Sequence, residues 1–134
     1  MLPDEIGTYL AGAGLGLTLG VNLYVLPFPE TSPDAAVCLV EFDGRTVGTF
    51  GASLSAAAVE EPSFKVIVRD GRDNGLQARQ KADAVYKALR RLGPVTLSGV
   101  LYHNLKADLP QWLGYDENNR SRYHFDVQAW KAES

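Results

Sequence analysis

The chain has 134 residues, 46% of them hydrophobic and 22% charged, with a formal net charge of −3. That is the size and balance of a single folded domain, and a mildly acidic chain has no strong general attraction for nucleic acid or anionic membranes. One cysteine, Cys38, excludes a disulfide within the chain and gives no sign of an oxidising compartment.

Pro3 suits a first helical turn, and Asp4 and Glu5 complement the positive end of a helix dipole. Ile6, Tyr9, Leu10, Ala13 and Leu17 follow helical spacing, which predicts a helix over 3–13 that ends in the glycines Gly12 to Gly16. No charged residue lies between Glu5 and Glu30, a stretch long enough to cross a bilayer. Its glycines, Asn22, Pro27 and Pro29 weaken it, and acidic residues precede it where a signal peptide or membrane anchor carries basic ones. The expectation is instead a strand over Leu19–Leu26, stopped by the two prolines.

Ala35–Phe42 is an apolar run of strand length in which Cys38 reads as a small core hydrophobe. Asp43-Gly44-Arg45 is a turn signal, predicting a hairpin into Thr46–Phe50. Residues 51–61 are weakly patterned, so 43–61 as a whole reads as a loop or mobile arm. Pro62–Arg69 alternates, with Phe64, Val66 and Val68 on one face. A turn over Asp70–Gly75 then offers capping residues to a helix over 76–92. Ala78, Ala82, Val85, Leu89 and Leu92 form its apolar stripe, and Gly93-Pro94 stops it. Thr96–Ala107 reads as one strand with Leu97, Leu101 and Leu105 aligned, and Leu109–Arg120 as a turn-rich connection containing Trp112. Tyr123, Phe125, Val127 and Ala129 alternate with polar residues in a half-buried last strand. These elements predict one domain over 1–134 of α+β class: a mostly antiparallel β-sheet with a long helix and a shorter N-terminal helix packed on it.

Catalytic and ligand-binding chemistry finds little support. Gly12-Ala13-Gly14-Leu15-Gly16 follows a helix and opens a strand, the reverse of a phosphate-binding loop. His103, His124 and Cys38 fall on three separate strands without metal-ligand spacing. Asp116-Glu117-Asn118-Asn119-Arg120 lacks the alternating carboxylates and central glycine of a calcium loop. The expectation is therefore no catalytic residue, no metal and no cofactor. What remains is surface. The long helix carries Arg79, Lys81, Lys87, Arg90 and Arg91 against Asp83, a solvated face or a patch for an acidic neighbour. Arg69 and Arg72 border the turn before it, Trp112 is an aromatic of the kind enriched in interface hot spots, and Asp116, Glu117 and Arg120 form a charged cluster. Arg69, Arg72, Arg79, Lys87, Trp112, Asp116, Glu117 and Arg120 are the candidate interface residues.

The order of segments is itself informative. A strand Pro62-Ser63-Phe64-Lys65-Val66-Ile67-Val68-Arg69 leads through a glycine turn into a helix bearing Ala82, Val85-Tyr86 and Ala88-Leu89. Tyr102, Ala107, Pro110, Leu113-Gly114, Asp116-Glu117, Arg120 and Tyr123-His124-Phe125 follow. This combination resembles the tail terminator, or minor capsid, family of bacteriophages with long flexible tails, over roughly residues 1–131; residues 43–61 match no pattern. The resemblance implies a non-enzymatic virion subunit that closes into a ring, typically six-fold, through which DNA passes without specific binding. Such a ring caps the tail tube, ends its polymerisation and presents a surface to the head connector or head-completion protein. It also implies assembly in the host bacterial cytoplasm and a place at the head–tail interface, with no membrane. The alternatives are a head-completion or connector subunit and, from the basic helix, a small nucleic-acid-binding module.

Overall fold

A computed structural model describes residues 2–47, 59–90 and 92–132. The elements are α1 (Leu2–Ala11), β1 (Leu23–Tyr24), β2 (Ala36–Val47), β3 (Val59–Asp70), α2 (Gly75–Arg90), β4 (Val95–Leu97), β5 (Val100–Ala107), β6 (Gln111–Tyr115) and β7 (Ser121–Ala132). All nine belong to an α+β architecture with one seven-stranded sheet in the order β1-β2-β3-β7-β5-β4, and β6 pairs with β7 beside β5. Every strand pair is antiparallel except β1 with β2.

The alternation in β3 and β7 decides where the core lies. Phe64, Val66 and Val68 stand opposite Val127, Phe125 and Tyr123, so these side chains share one face of the sheet. That face is covered by the stripe Ala78, Ala82, Val85 and Leu89 of α2 and by Ile6 and Leu10 of α1; all are fully buried, and all but Ala78 belong to one core cluster. Tyr9 of α1 donates to the Ala88 carbonyl of α2 at 3.4 Å, so the two helices also touch. Charge is buried with them: Glu5 is 4% exposed, receiving Lys131 Nζ at 3.3 Å and the Tyr102 hydroxyl at 3.3 Å. Lys131 also lies 3.6 Å from Glu60. A residue expected to complement a helix dipole thus ties α1 to the far end of β7.

Several expected elements differ. The strand over Leu19–Leu26 is reduced to Leu23–Tyr24 because local bonds win. The Thr18 carbonyl accepts from Val21, Asn22 and Leu23, and Asn22 bridges Thr18 N–H and the Gly16 carbonyl, a turn in competition with a ladder. Asp43-Gly44-Arg45 is not a hairpin turn. β2 runs through it to Val47 with a bulge between Phe42 and Gly44, pairing with β3 instead of 46–50, so long-range pairing overrides the local turn signal. Of the expected arm, 43–47 and 59–61 are therefore strand, and 48–58 lie outside the described residues. The strand over Thr96–Ala107 breaks at Ser98-Gly99, both with positive φ, into the hairpin β4–β5. A bulge in β5 between Tyr102 and Asn104 then lets both Tyr102 and Leu105 face the core, while Leu101 and His103 point outward. Within the expected connection 109–120, Gln111–Tyr115 is a strand, β6, hairpinned onto β7. α2 ends as expected: Gly93 has φ 125, and a Cβ there would sit 3.0 Å from the His103 carbonyl oxygen, so the chain crosses β5 too closely for a side chain.

One transverse row runs through the sheet from β1 to β6. Leu23 of β1 pairs with Val37 of β2, Val37 with Val68 of β3, Val68 with Tyr123 of β7 and Tyr123 with Trp112 of β6. The surroundings of β1 and β6 are thus level with one another at opposite edges, about 19 Å apart at the usual strand spacing.

Candidate functional site

The residues that could carry chemistry are scattered or inert. Cys38 is fully buried, and burial pushes its thiol up to about 12, which withholds the nucleophilic thiolate at neutral pH. His103 is exposed on β5 opposite the C-terminal end of β7. His124 is some six residues back along β7, about 20 Å away at the rise of a strand. His124 is half-buried; burial, then the Lys65 charge, lowers its pKa against the opposing pull of Asp126. No group of three or more His, Cys, Asp or Glu among the described residues is arranged to hold a metal ion. No described helix is long and apolar enough to cross a membrane.

The structure sorts the candidate interface residues into two neighbourhoods. In the first, Arg69 of β3 is only 3% exposed. Its Nε donates to the Asp34 carbonyl at 3.1 Å, and its Nη2 to Ser32 Oγ at 2.8 Å and to the Pro33 carbonyl. The guanidinium stacks 4.0 Å from the Phe28 ring. Burial, then the Arg120 charge, lowers its pKa. Arg69 therefore fastens the 28–34 segment to the sheet face opposite the helices instead of presenting an open charge. Arg120 does related work: its Nε lies 2.7 Å from Asp116 Oδ2 and its Nη1 3.6 Å from Asp34 Oδ1. Asp116 Oδ1 also accepts the backbone N–H groups of Asn118 and Arg120, each at 2.9 Å. Partial burial raises the Asp116 pKa, but these bonds from Arg120 and Asn118 outweigh it and hold the carboxyl below its usual range. Asp116 and Arg120 thus build the β6–β7 turn, from which Glu117 projects into solvent.

The second neighbourhood is open. Trp112 and Tyr115 of β6 are 47% and 51% exposed. Their rings meet edge to face at 5.2 Å, and Trp112 packs on Tyr123 at 5.3 Å. The Arg72 guanidinium lies 5.8 Å from the Tyr115 ring. Exposed Leu113 occupies the bulge between the two aromatics. Arg79 is exposed one turn into α2. It is seven residues before Tyr86, which contacts Phe125 of β7, so Arg79 lies on the flank of α2 that faces this side of the sheet. Lys87 pairs with Asp83 at 3.0 Å and Arg90 stacks on Tyr86, while Lys81 donates to the Leu15 carbonyl. The basic helix is therefore not a bare cationic stripe.

Sequence reasoning missed two parts of this surface. Tyr115 and Leu113 were hidden inside a segment read as turn-rich, although Trp112 and Tyr115 flank a strand-length run ending before Asp116. At the opposite sheet edge a groove of about 530 Å³ is lined by Asp4, Thr8, Leu19, Leu26, Pro27 and Pro29, among others. Leu19 and Leu26 read locally as strand, and Pro27 and Pro29 only as its stop.

Comparison with known proteins agrees with this picture of a surface-bearing domain. The model of a family described as bacteriophage tail terminator protein matches residues 9–131. Among solved structures, a chain from the "Virion of native gene transfer agent (GTA) particle" superposes with a TM-score of 0.72 at 20% identity. The match covers 98% of this chain and 95% of that one and shows a shared fold. No curated protein matches the sequence. A match across nearly the whole α+β domain, from α1 to the end of β7, places the chain in the bacteriophage tail terminator family.

Proposed function

We propose that this protein is a non-enzymatic virion subunit that closes into a six-fold ring on the last layer of the tail tube. The ring ends tube polymerisation and offers its other face to the head connector or head-completion protein. The observation that carries the reading is the family match over residues 9–131; the virion origin of the structural neighbour supports the same setting. The work involved is shape and charge matching, which needs no cofactor. A heterologous contact repeated by rotation closes a ring, and an interface of about 800 Å² per partner suffices for a specific contact. DNA passes through such a ring without base-specific binding, and assembly takes place in the host bacterial cytoplasm. Of the candidate residues, Arg72, Arg79, Lys87, Trp112 and Glu117 are exposed and can meet neighbours directly. Arg69, Asp116 and Arg120 act by holding loops in shape. Residues 43–61 and, within the 109–120 region, the 116–120 turn beyond β6 are the surfaces proposed for the tube and head faces.

The test is to polymerise purified tail tube protein with and without this chain and to measure tube length and end occupancy by electron microscopy. Tubes of bounded length with density at one end are expected. Unaltered lengths and bare ends would overturn the reading. Particles made without the chain separate the neighbouring alternative: overlong tails detached from heads belong to a terminator, and tailless heads that leak DNA belong to a head-completion subunit.

A further inference from the structure

We infer that the ring contact, within the capping reading on which this rests, joins two unlike patches at opposite sheet edges: the β6 ridge of one copy enters the groove beside β1 of the next. The ridge is exposed Trp112 and Tyr115, on the side of the sheet that carries the helices, with exposed Leu113 in the bulge between them. The groove lies at the β1 edge of the sheet, between Asp4 and Thr8 of α1 and the 19–29 segment, and is walled by Leu19, Leu26, Pro27 and Pro29. It exists because Gly7 has no side chain. A Cβ at Gly7 would meet Val25 Cγ1 at 2.9 Å and Leu19 Cδ2 at 3.1 Å, so the segment lies directly against α1.

Three observations name a second copy of this chain as the occupant. The shapes are complementary, an aromatic ridge against an apolar groove large enough to take such side chains. The charges are complementary as well: Arg72 lies beside Tyr115 of the ridge, while Asp4 lines the groove and exposed Glu30 follows Pro29 at its rim. Opposite charges at a rim favour this register and disfavour ridge-to-ridge pairing. Finally, both patches sit at the ends of one transverse row, Leu23–Val37–Val68–Tyr123–Trp112. A head-to-tail contact at one level adds no shift along the strands from copy to copy, as a closed ring with its axis along the strands requires.

The experiment uses two full-length single variants, Thr8→Cys in the groove and Leu113→Cys on the ridge, with a short bismaleimide. Buried Cys38 stays in place. The variants are added separately or mixed to growing tail tubes, with tube length recorded in parallel. Covalent dimers are expected from the mixture and from neither variant alone. Dimers from a single variant would indicate an isologous contact and overturn the inference. Normal capping without dimers in the mixture would overturn this contact and leave the capping reading standing. Tubes left uncapped by wild-type protein would instead sink the capping reading. As a second measurement, Trp112→Ala should weaken self-association at least about tenfold, as for a hot-spot aromatic, with its melting temperature close to wild type. Unchanged association with an unchanged melting temperature counts against the ridge.

Discussion

At the residue scale, the charges that look most available in the sequence are the ones most tightly held. Asp116 and Arg120 read as a solvent-facing cluster, yet each bonds the other and the turn backbone. Arg120→Ala should therefore lower folding stability by about 1–3 kcal/mol, the range for lost charge-assisted hydrogen bonds, as measured by chemical denaturation. The Asp116 pKa is held below its reference of 3.8. A carboxyl depressed in the folded state contributes stability above the unfolded pKa and loses it as pH falls through the folded one. The stability gap between wild type and Asp116→Asn should accordingly be full at neutral pH and shrink below about pH 4. A gap independent of pH would mean the carboxylate charge is not what holds the turn. His124 shifts stability in the same direction with pH, because burial and Lys65 lower its pKa from 6.5. It opposes folding as pH falls below 6.5, and His124→Gln should flatten the acid-side loss of thermal stability there.

Elements are decided by whichever bonds their backbone can reach. α2 and β3 were legible because period and burial agree: Ala78, Ala82, Val85 and Leu89 fall on one helical face, and Phe64, Val66 and Val68 on one strand face. β1 was over-read because an apolar run says nothing about Thr18 and Asn22 closing a turn upon it. β6 was under-read because a five-residue strand has little periodicity of its own and exists through pairing with β7. The junction after α2 is the sharpest element-scale test. Gly93→Ala must place a Cβ against the His103 carbonyl and Asn104 Cα at positive φ. It should lower stability by about 1–3 kcal/mol, read as a fall in melting temperature, and an unchanged melting temperature would show that the crossing can relax.

For the whole molecule, one core joins both helices to one sheet face, and Glu5, Tyr102 and Lys131 form a polar connection at its edge. Glu5→Ala removes one carboxylate partner of buried Lys131 and the acceptor of the Tyr102 hydroxyl, and should cost about 3 kcal/mol. Phe125→Ala, at the centre of the core, should cost about as much. Both losses should appear in one cooperative unfolding transition, and separate transitions would show α1 melting independently of the sheet. The open sheet edges are left to deal with neighbours, and in the proposed ring they carry its specificity.

By itself the sequence determined the α+β class, the core faces of α2, β3 and β7, the buried role of Cys38 and the family, since all of these are written in local period, composition and segment order. Only the tertiary structure decided that Arg69 and Arg120 face inward, that β2 runs through a turn signal, and that Trp112 stands across one sheet row from the groove beside β1. Those outcomes depend on pairing between distant segments, whose register and bulges fix which way each side chain points, and no local window of sequence contains both partners.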